Sequence, residues 1–277
     1  MIFDAPLLTD FQFSQSSLQD YVDCPRRFQL RYLQRLAWPA PEAEPLVEHE
    51  RHMEQGARFH GLVQRHIAGI PADVLSTLAQ TEPLKHWWEA YLRTGLKDVP
   101  PQRRSEMTLT APLAGFRLLA KYDLVAVEPG QRALIVDWKT TRKPSRERLA
   151  TRLQTVVYRY LLAVGGGFLN GDRPIPPEQI EMVYWFAEQP DEPERFHYDR
   201  AQFAADEALL TELIGEIAAR KIFDLTVDKQ RCKFCTYRSL CDRGVQAGDF
   251  REVELDDEPD GVISAGFDFD QIAEIEF

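Results

Sequence analysis

The chain has 277 residues, long for one compact domain and short for two, so one domain with appendages is expected. Apolar residues make up 44% and aromatics 11%, which argues against wholesale disorder. The longest mostly apolar run, Leu161 to Leu169, is far below the ~20 residues of a membrane-crossing helix, and the N-terminus has no basic start followed by an apolar core. A cytoplasmic protein without membrane association is therefore expected.

The net charge of −11 is unevenly spread. From Asp249 to Phe277 there are eleven acids against Arg251, so this segment carries all but one of the net negative charges. Residues 139–152 hold six bases (Lys139, Arg142, Lys143, Arg146, Arg148, Arg152) against Glu147, and Arg26, Arg27, Arg31 and Arg35 form a second run with no acid. Phosphate binding needs local positive charge, so this profile permits a nucleic-acid partner.

In chain order, Ser16 and Gln19 resemble a capping box, and Leu18, Tyr21, Val22, Phe28, Tyr32 and Leu33 have helical spacing as far as Leu36. A Pro-containing loop (Trp38 to Pro45) leads to a helix around 51–67, and Trp87, Trp88, Tyr91 and Leu92 mark another helical face. Residues 105–111, 116–127 and 133–138 have strand composition with short turns between them, which predicts an antiparallel meander. A helix over about 146–164, a Gly/Pro loop, a strand over 181–187 and a helix around 201–221 follow. There is no GxxxxGK[ST] phosphate loop, and Gly165-Gly166-Gly167 follows a helix, so it reads as a turn.

Side chains alternate along a strand, so Asp137 and Lys139 share one face while Val136 and Trp138 take the other. A carboxylate can hold a hard divalent cation and the lysine can orient or deprotonate a metal-bound water. Asp123, late in the preceding strand, could supply a second ligand; the plain alternative is a strand-end salt bridge. The array Gly56-x-x-x-His60, Glu106, Tyr122-Asp123, Asp137-Trp138-Lys139, Gln154-x-x-x-Tyr158 resembles the RecB-like branch of the PD-(D/E)XK nuclease superfamily in order and spacing, from about Ser14 to Cys241. One departure is Ala120, where that family usually has glycine.

The resemblance implies an α/β fold with a restriction-endonuclease-like core of helix, three-strand meander, helix and strand, extended by N-terminal helices and a cysteine-bound C-terminal segment. A single domain would span 1–248, with a helical part over about 14–100, a catalytic core over about 101–190 and the cysteine segment over about 199–243. The acidic tail, 249–277, would be a flexible end. By the same resemblance, His60, Asp123, Asp137 and the Trp138 carbonyl would hold Mg²⁺ or Mn²⁺. Lys139 would be the catalytic lysine, and Gln154 and Tyr158, on one helical face, would approach the metal site and the DNA backbone. Glu106 matches an acidic position of the family's first strand.

The four cysteines, Cys24 and then Cys232-x-x-Cys235-x5-Cys241, favour a metal over disulfides in a cytosolic chain. Their one-plus-three order resembles the iron–sulfur subset of RecB-like nucleases, the AddB-type helicase-nuclease subunit and the CRISPR-associated spacer-acquisition nuclease, which implies a 4Fe-4S cluster, with zinc as the alternative. The expected function is metal-dependent hydrolysis of single-stranded or frayed DNA, as an exonuclease, in repair or recombination. Spacer acquisition and a non-catalytic iron–sulfur scaffold are the alternatives. Arg27, Arg31, Arg142, Lys143 and Arg146 would contact the DNA backbone. A helicase or a CRISPR integration complex could deliver the substrate, and the acidic tail could bind a protein partner.

Overall fold

The computed structural model describes Leu7, residues 10–36, residues 44–246 and Gly248. The loop expected at Trp38 to Pro45 and the acidic tail lie mostly and wholly outside these residues, respectively. One mixed sheet holds β1 (Gln12–Ser14), β2 (Gln102–Leu113), β3 (Phe116–Glu128), β4 (Arg132–Lys139), β5 (Ile180–Phe186) and β6 (Glu194–His197). Its order is β1-β3-β4-β5-β6, with β2 also on β3. The antiparallel β2-β3-β4 meander is as expected; β4 and β5 then pair in parallel through a helical crossover, as βαβ connections require.

Helices cover both faces. On one, α1 (Gln15–Asp23), α7 (Leu153–Gly165) and α8 (Arg200–Ala219) pack Leu18, Leu161 and Ile214 against Val125, Ile135 and Tyr184. On the other, α3 (Glu44–Ile67), α4 (Ala72–Ser76) and α5 (Glu82–Thr94) bring Phe59, Leu75, Trp87 and Tyr91 onto Val136, Trp138 and Trp185. Strands buried on both faces read as continuous apolar runs, as residues 124–127 do. Val136 and Trp138 lie on the α3/α5 face, as strand alternation requires.

Two expected helices are broken. The stretch to Leu36 divides into α1, α2 (Pro25–Phe28) and a π-helical turn (Gln29–Leu33). Cys24 between them is extended (φ −162°, ψ 106°), because Pro25 disfavours helical backbone in the residue before it. The N-cap is Ser14 rather than Ser16: Ser14 and Ser17 cap each other, with Oγ to N–H distances of 3.1 and 2.9 Å. The helix expected over 146–164 divides at extended Arg152 into α6 (Arg146–Thr151) and α7. A four-residue helix, α9 (Arg238–Cys241), closes the cysteine segment.

Gly166 ends α7, confirming the turn. A Cβ there would stand 2.4 Å from the Leu162 carbonyl oxygen and 2.9 Å from Ile175 Cδ1. Gly166→Ala should therefore destabilise the fold by about 1–3 kcal/mol through overpacking; an unchanged urea midpoint would show that α7 and the Ile175 loop yield freely.

Candidate active site

The site forms where β3 changes neighbours. β1 pairs with Arg117 to Leu119, and β4 pairs with Leu124 to Glu128, so residues 120–123 have no strand partner on that edge. The apolar phase of β3 shifts at the same place. Leu118, Ala120 and Tyr122 face the α7 core, and past Asp123 it is Val125 and Val127 that face it. In place of the next rung, the Trp138 N–H donates to Asp123 Oδ2 at 3.0 Å.

Glu106 lies opposite Asp123 on β2, between the pairs Ser105↔Leu124 and Met107↔Tyr122, and the rung between Glu106 and Asp123 is missing. Glu106 has φ 53°, a left-handed backbone that costs a non-glycine residue of order 1 kcal/mol or more and concentrates at functional sites. Its carboxylate is ion-paired with Lys121.

His60 reaches the site from α3, its Nδ1 3.3 Å from Asp123 Oδ1. Gly56, one turn earlier, lets α3 pass close to the end of β4: a Cβ there would sit 3.2 Å from Thr140 Oγ1. That close approach is a physical reason for the Gly56-x-x-x-His60 spacing. One atom each from His60, Glu106 and Asp123 lies within 4.8 Å of the others, a set that could hold a metal ion. Asp137 lies beside it, its Oδ2 3.0 Å from Lys139 Nζ and its Oδ1 accepting from Gln154 Nε2 at 2.8 Å. The expected residues are thus brought together, with Glu106 more central than sequence indicated and Asp137 tied to Lys139 and Gln154. Tyr158 is buried, its hydroxyl donating to the Lys121 carbonyl at 2.6 Å.

Burial and charge set the protonation states. Burial would lower the His60 imidazole, but the Asp123 carboxylate outweighs it and raises His60 to about 9. Burial would raise Asp123, yet His60, Lys139 and the Trp138 N–H hold it below the usual carboxylate range. Asp137 is pushed up to about 6, chiefly by burial, against the pull of Lys139. Protons must leave His60 and Asp137 before either can bind a cation. Mn²⁺ affinity should therefore climb as pH rises from 5 toward 9, with proton release on binding. Calorimetry in buffers of different ionisation enthalpy checks this, and a pH-independent affinity would place the ion elsewhere.

The residues expected at DNA differ in availability. Arg142 is exposed. Lys143 and Arg146 each lie 2.8 Å from Glu194, and Arg146 also covers the Phe196 ring at 4.5 Å. Arg27 is paired with Asp20 and Asp23, and Arg31 with Asp20 at 3.1 Å.

Those pairs adjoin the thiols. Cys24, Cys232, Cys235 and Cys241 are free and line one cavity with Arg27, Arg231, Arg238 and Arg243. The Arg243 guanidinium donates to Cys232 Sγ at 3.6 Å. Burial pushes the Cys235 thiol up to about 11 against the pull of Arg27. The void is about 20 Å³, room for a single water.

A family model described as PD-(D/E)XK nuclease superfamily matches residues 12–242. No curated protein sequence matches the chain. Among solved structures, that of SSO0001 is 14% identical, covering 83% of this chain and 85% of its own, with a TM-score of 0.38. A Eubacterium rectale protein described as a candidate exonuclease is 10% identical, covering 90% and 93%, with a TM-score of 0.49.

Proposed function

Since this chain belongs to the PD-(D/E)XK nuclease superfamily, we propose that it is a divalent-metal-dependent DNA nuclease of the RecB-like branch, acting as an exonuclease on single-stranded or frayed ends in repair or recombination. The observation that carries this reading is the convergence of His60, Glu106 and Asp123 within 4.8 Å, next to the Asp137–Lys139 pair. Their oxygen and imidazole donors suit Mg²⁺ or Mn²⁺. His60, Asp123, Asp137 and the Trp138 carbonyl are the proposed ligands, joined by Glu106. When bound, such an ion polarises the phosphate and lowers the pKa of the attacking water.

Lys139 orients that water and stabilises negative charge developing on the phosphate. Gln154 holds the Asp137 carboxylate in place. Arg142 takes the DNA backbone, assisted by Lys143 and Arg146 when they exchange Glu194 for phosphate, so affinity falls steeply with salt. Arg27 and Arg31 tie α2 and the π-helical turn to α1 through Asp20 and Asp23, and Arg231 joins the cysteine segment to Asp23 at 3.4 Å. The test is end-labelled single-stranded DNA incubated with Mn²⁺ or Mg²⁺: a nuclease shortens it and a chelator stops the reaction. DNA left intact with either metal favours a scaffold.

For the second centre we infer a tetrathiolate metal site, with the one-plus-three cysteine order supporting a 4Fe-4S cluster. Zinc is the second reading, since four thiolates converging on one cavity suit it as well. Anaerobic purification decides between them. Visible colour with iron and sulfide in roughly equal amounts marks the cluster, and one colourless ion marks zinc.

A further inference from the structure

Gln154 and Tyr158 lie one turn apart on α7, and their polar groups reach different strands. Gln154 Nε2 donates to Asp137 on β4 at 2.8 Å, and the Tyr158 hydroxyl donates to the Lys121 carbonyl on β3 at 2.6 Å. Lys121 falls in the 120–123 stretch that neither β1 nor β4 pairs, two residues before Asp123. The adjacent Tyr122 completes the tie from the other side, its hydroxyl donating to the Tyr158 carbonyl at 2.9 Å, with the two ring centroids 4.7 Å apart. Tyr122 and Tyr158 are 0% and 4% exposed, so a hydroxyl already spent on a strand carbonyl is not offered to a DNA backbone.

We propose that Gln154 and Tyr158 are the two ends of a brace. Helix α7 grips both strands where they diverge and so fixes the gap between Asp123 and Asp137. Chelation tolerates only about 0.5 Å of misplacement, so a loosened β3 weakens metal binding before it weakens anything else. Tyr158 is then a positioning residue acting through the strand backbone. The kinetic consequences rest on the nuclease reading; the effect on metal binding does not.

The test is Tyr158→Phe, which keeps the ring and removes the hydroxyl. Mn²⁺ binding is read without DNA from the electron paramagnetic signal of the free ion. Affinity for labelled single-stranded DNA is read by anisotropy in Ca²⁺, and turnover in Mn²⁺. The brace requires half-saturating Mn²⁺ to rise about tenfold and kcat to fall about tenfold, with DNA affinity within about twofold. In a Gln154→Ala background, Tyr158→Phe should add much less, because a brace cut at one end no longer transmits.

Weakened DNA binding with unchanged Mn²⁺ binding would overturn the proposal and make the hydroxyl a substrate contact. No change in either would overturn it too. If Tyr158→Phe fails to fold, Tyr122→Phe should show the same split to a smaller degree, and unaltered Mn²⁺ binding there is equally fatal. Wild type that binds Mn²⁺ but leaves DNA intact removes the nuclease reading while the Mn²⁺ titration still decides the brace.

Discussion

Replacing Asp137 with asparagine should lower the rate of DNA cleavage by about 10³-fold or more, with little change in DNA affinity. Asp137 is 2% exposed and its carboxylate touches both Lys139 and Gln154, so its loss removes a proposed metal ligand and the partner that aims the lysine. Losses of this size follow removal of a single group that stabilises charge developing in a transition state. The same substitution should not lower the melting temperature above pH 7. Asp137 has its carboxyl raised to about 6 in the fold, so its ionised form is disfavoured there relative to the unfolded chain. Stability linked to this group is thus present at low pH and is lost as pH rises through about 6, and asparagine escapes that loss. Activity and stability moving in opposite directions is the usual mark of a functional site. A variant that cleaves DNA as wild type does would remove Asp137 from the chemistry.

The second large effect is expected at Cys24. Cys24→Ser should remove or sharply reduce bound metal and lower the stability of the metal-loaded protein by roughly 5 kcal/mol, if loop-closure entropy transfers from disulfides to a metal bridge. Cys24 is the one thiol contributed by the N-terminal helices, set by Pro25 into the extended backbone between α1 and α2. The other three lie at 232, 235 and 241, so only Cys24 joins distant parts of the chain. The ion pair of Arg231 with Asp23 remains in the variant and should preserve part of the junction. Comparing melting of wild type and variant, each with and without chelator, checks this. If chelator leaves wild-type melting unchanged, the thiols do not carry a structural metal.

Much of this was readable from residue order. The meander and the shared face of Asp137 and Lys139 followed from strand composition and alternation, whereas the grouping of Asp123 with His60 came from the resemblance to RecB-like nucleases. The break at Cys24 was also readable, since a residue before proline resists helix, but the helical spacing of Leu18, Tyr21 and Phe28 obscured it. Arg152 gave no such warning: neither glycine nor proline marks the end of α6. β1 and β6 are three and four residues long, too short for alternation to register. The phase shift of β3 was hidden because residues 124–127 are apolar on both faces. The left-handed backbone of Glu106 falls on neither glycine nor asparagine, so nothing in its local sequence announces it.

The position of Cys24 sets the order of assembly. β1 needs β3, α1 needs α7 and α8, and the thiol between α1 and α2 needs partners at 232, 235 and 241. Translation delivers these in sequence, so a growing polypeptide can lay down the hydrolytic pocket well before its fourth sulfur exists. Any metal held by these thiols would therefore be loaded only after every residue around Asp123 and Asp137 has been made.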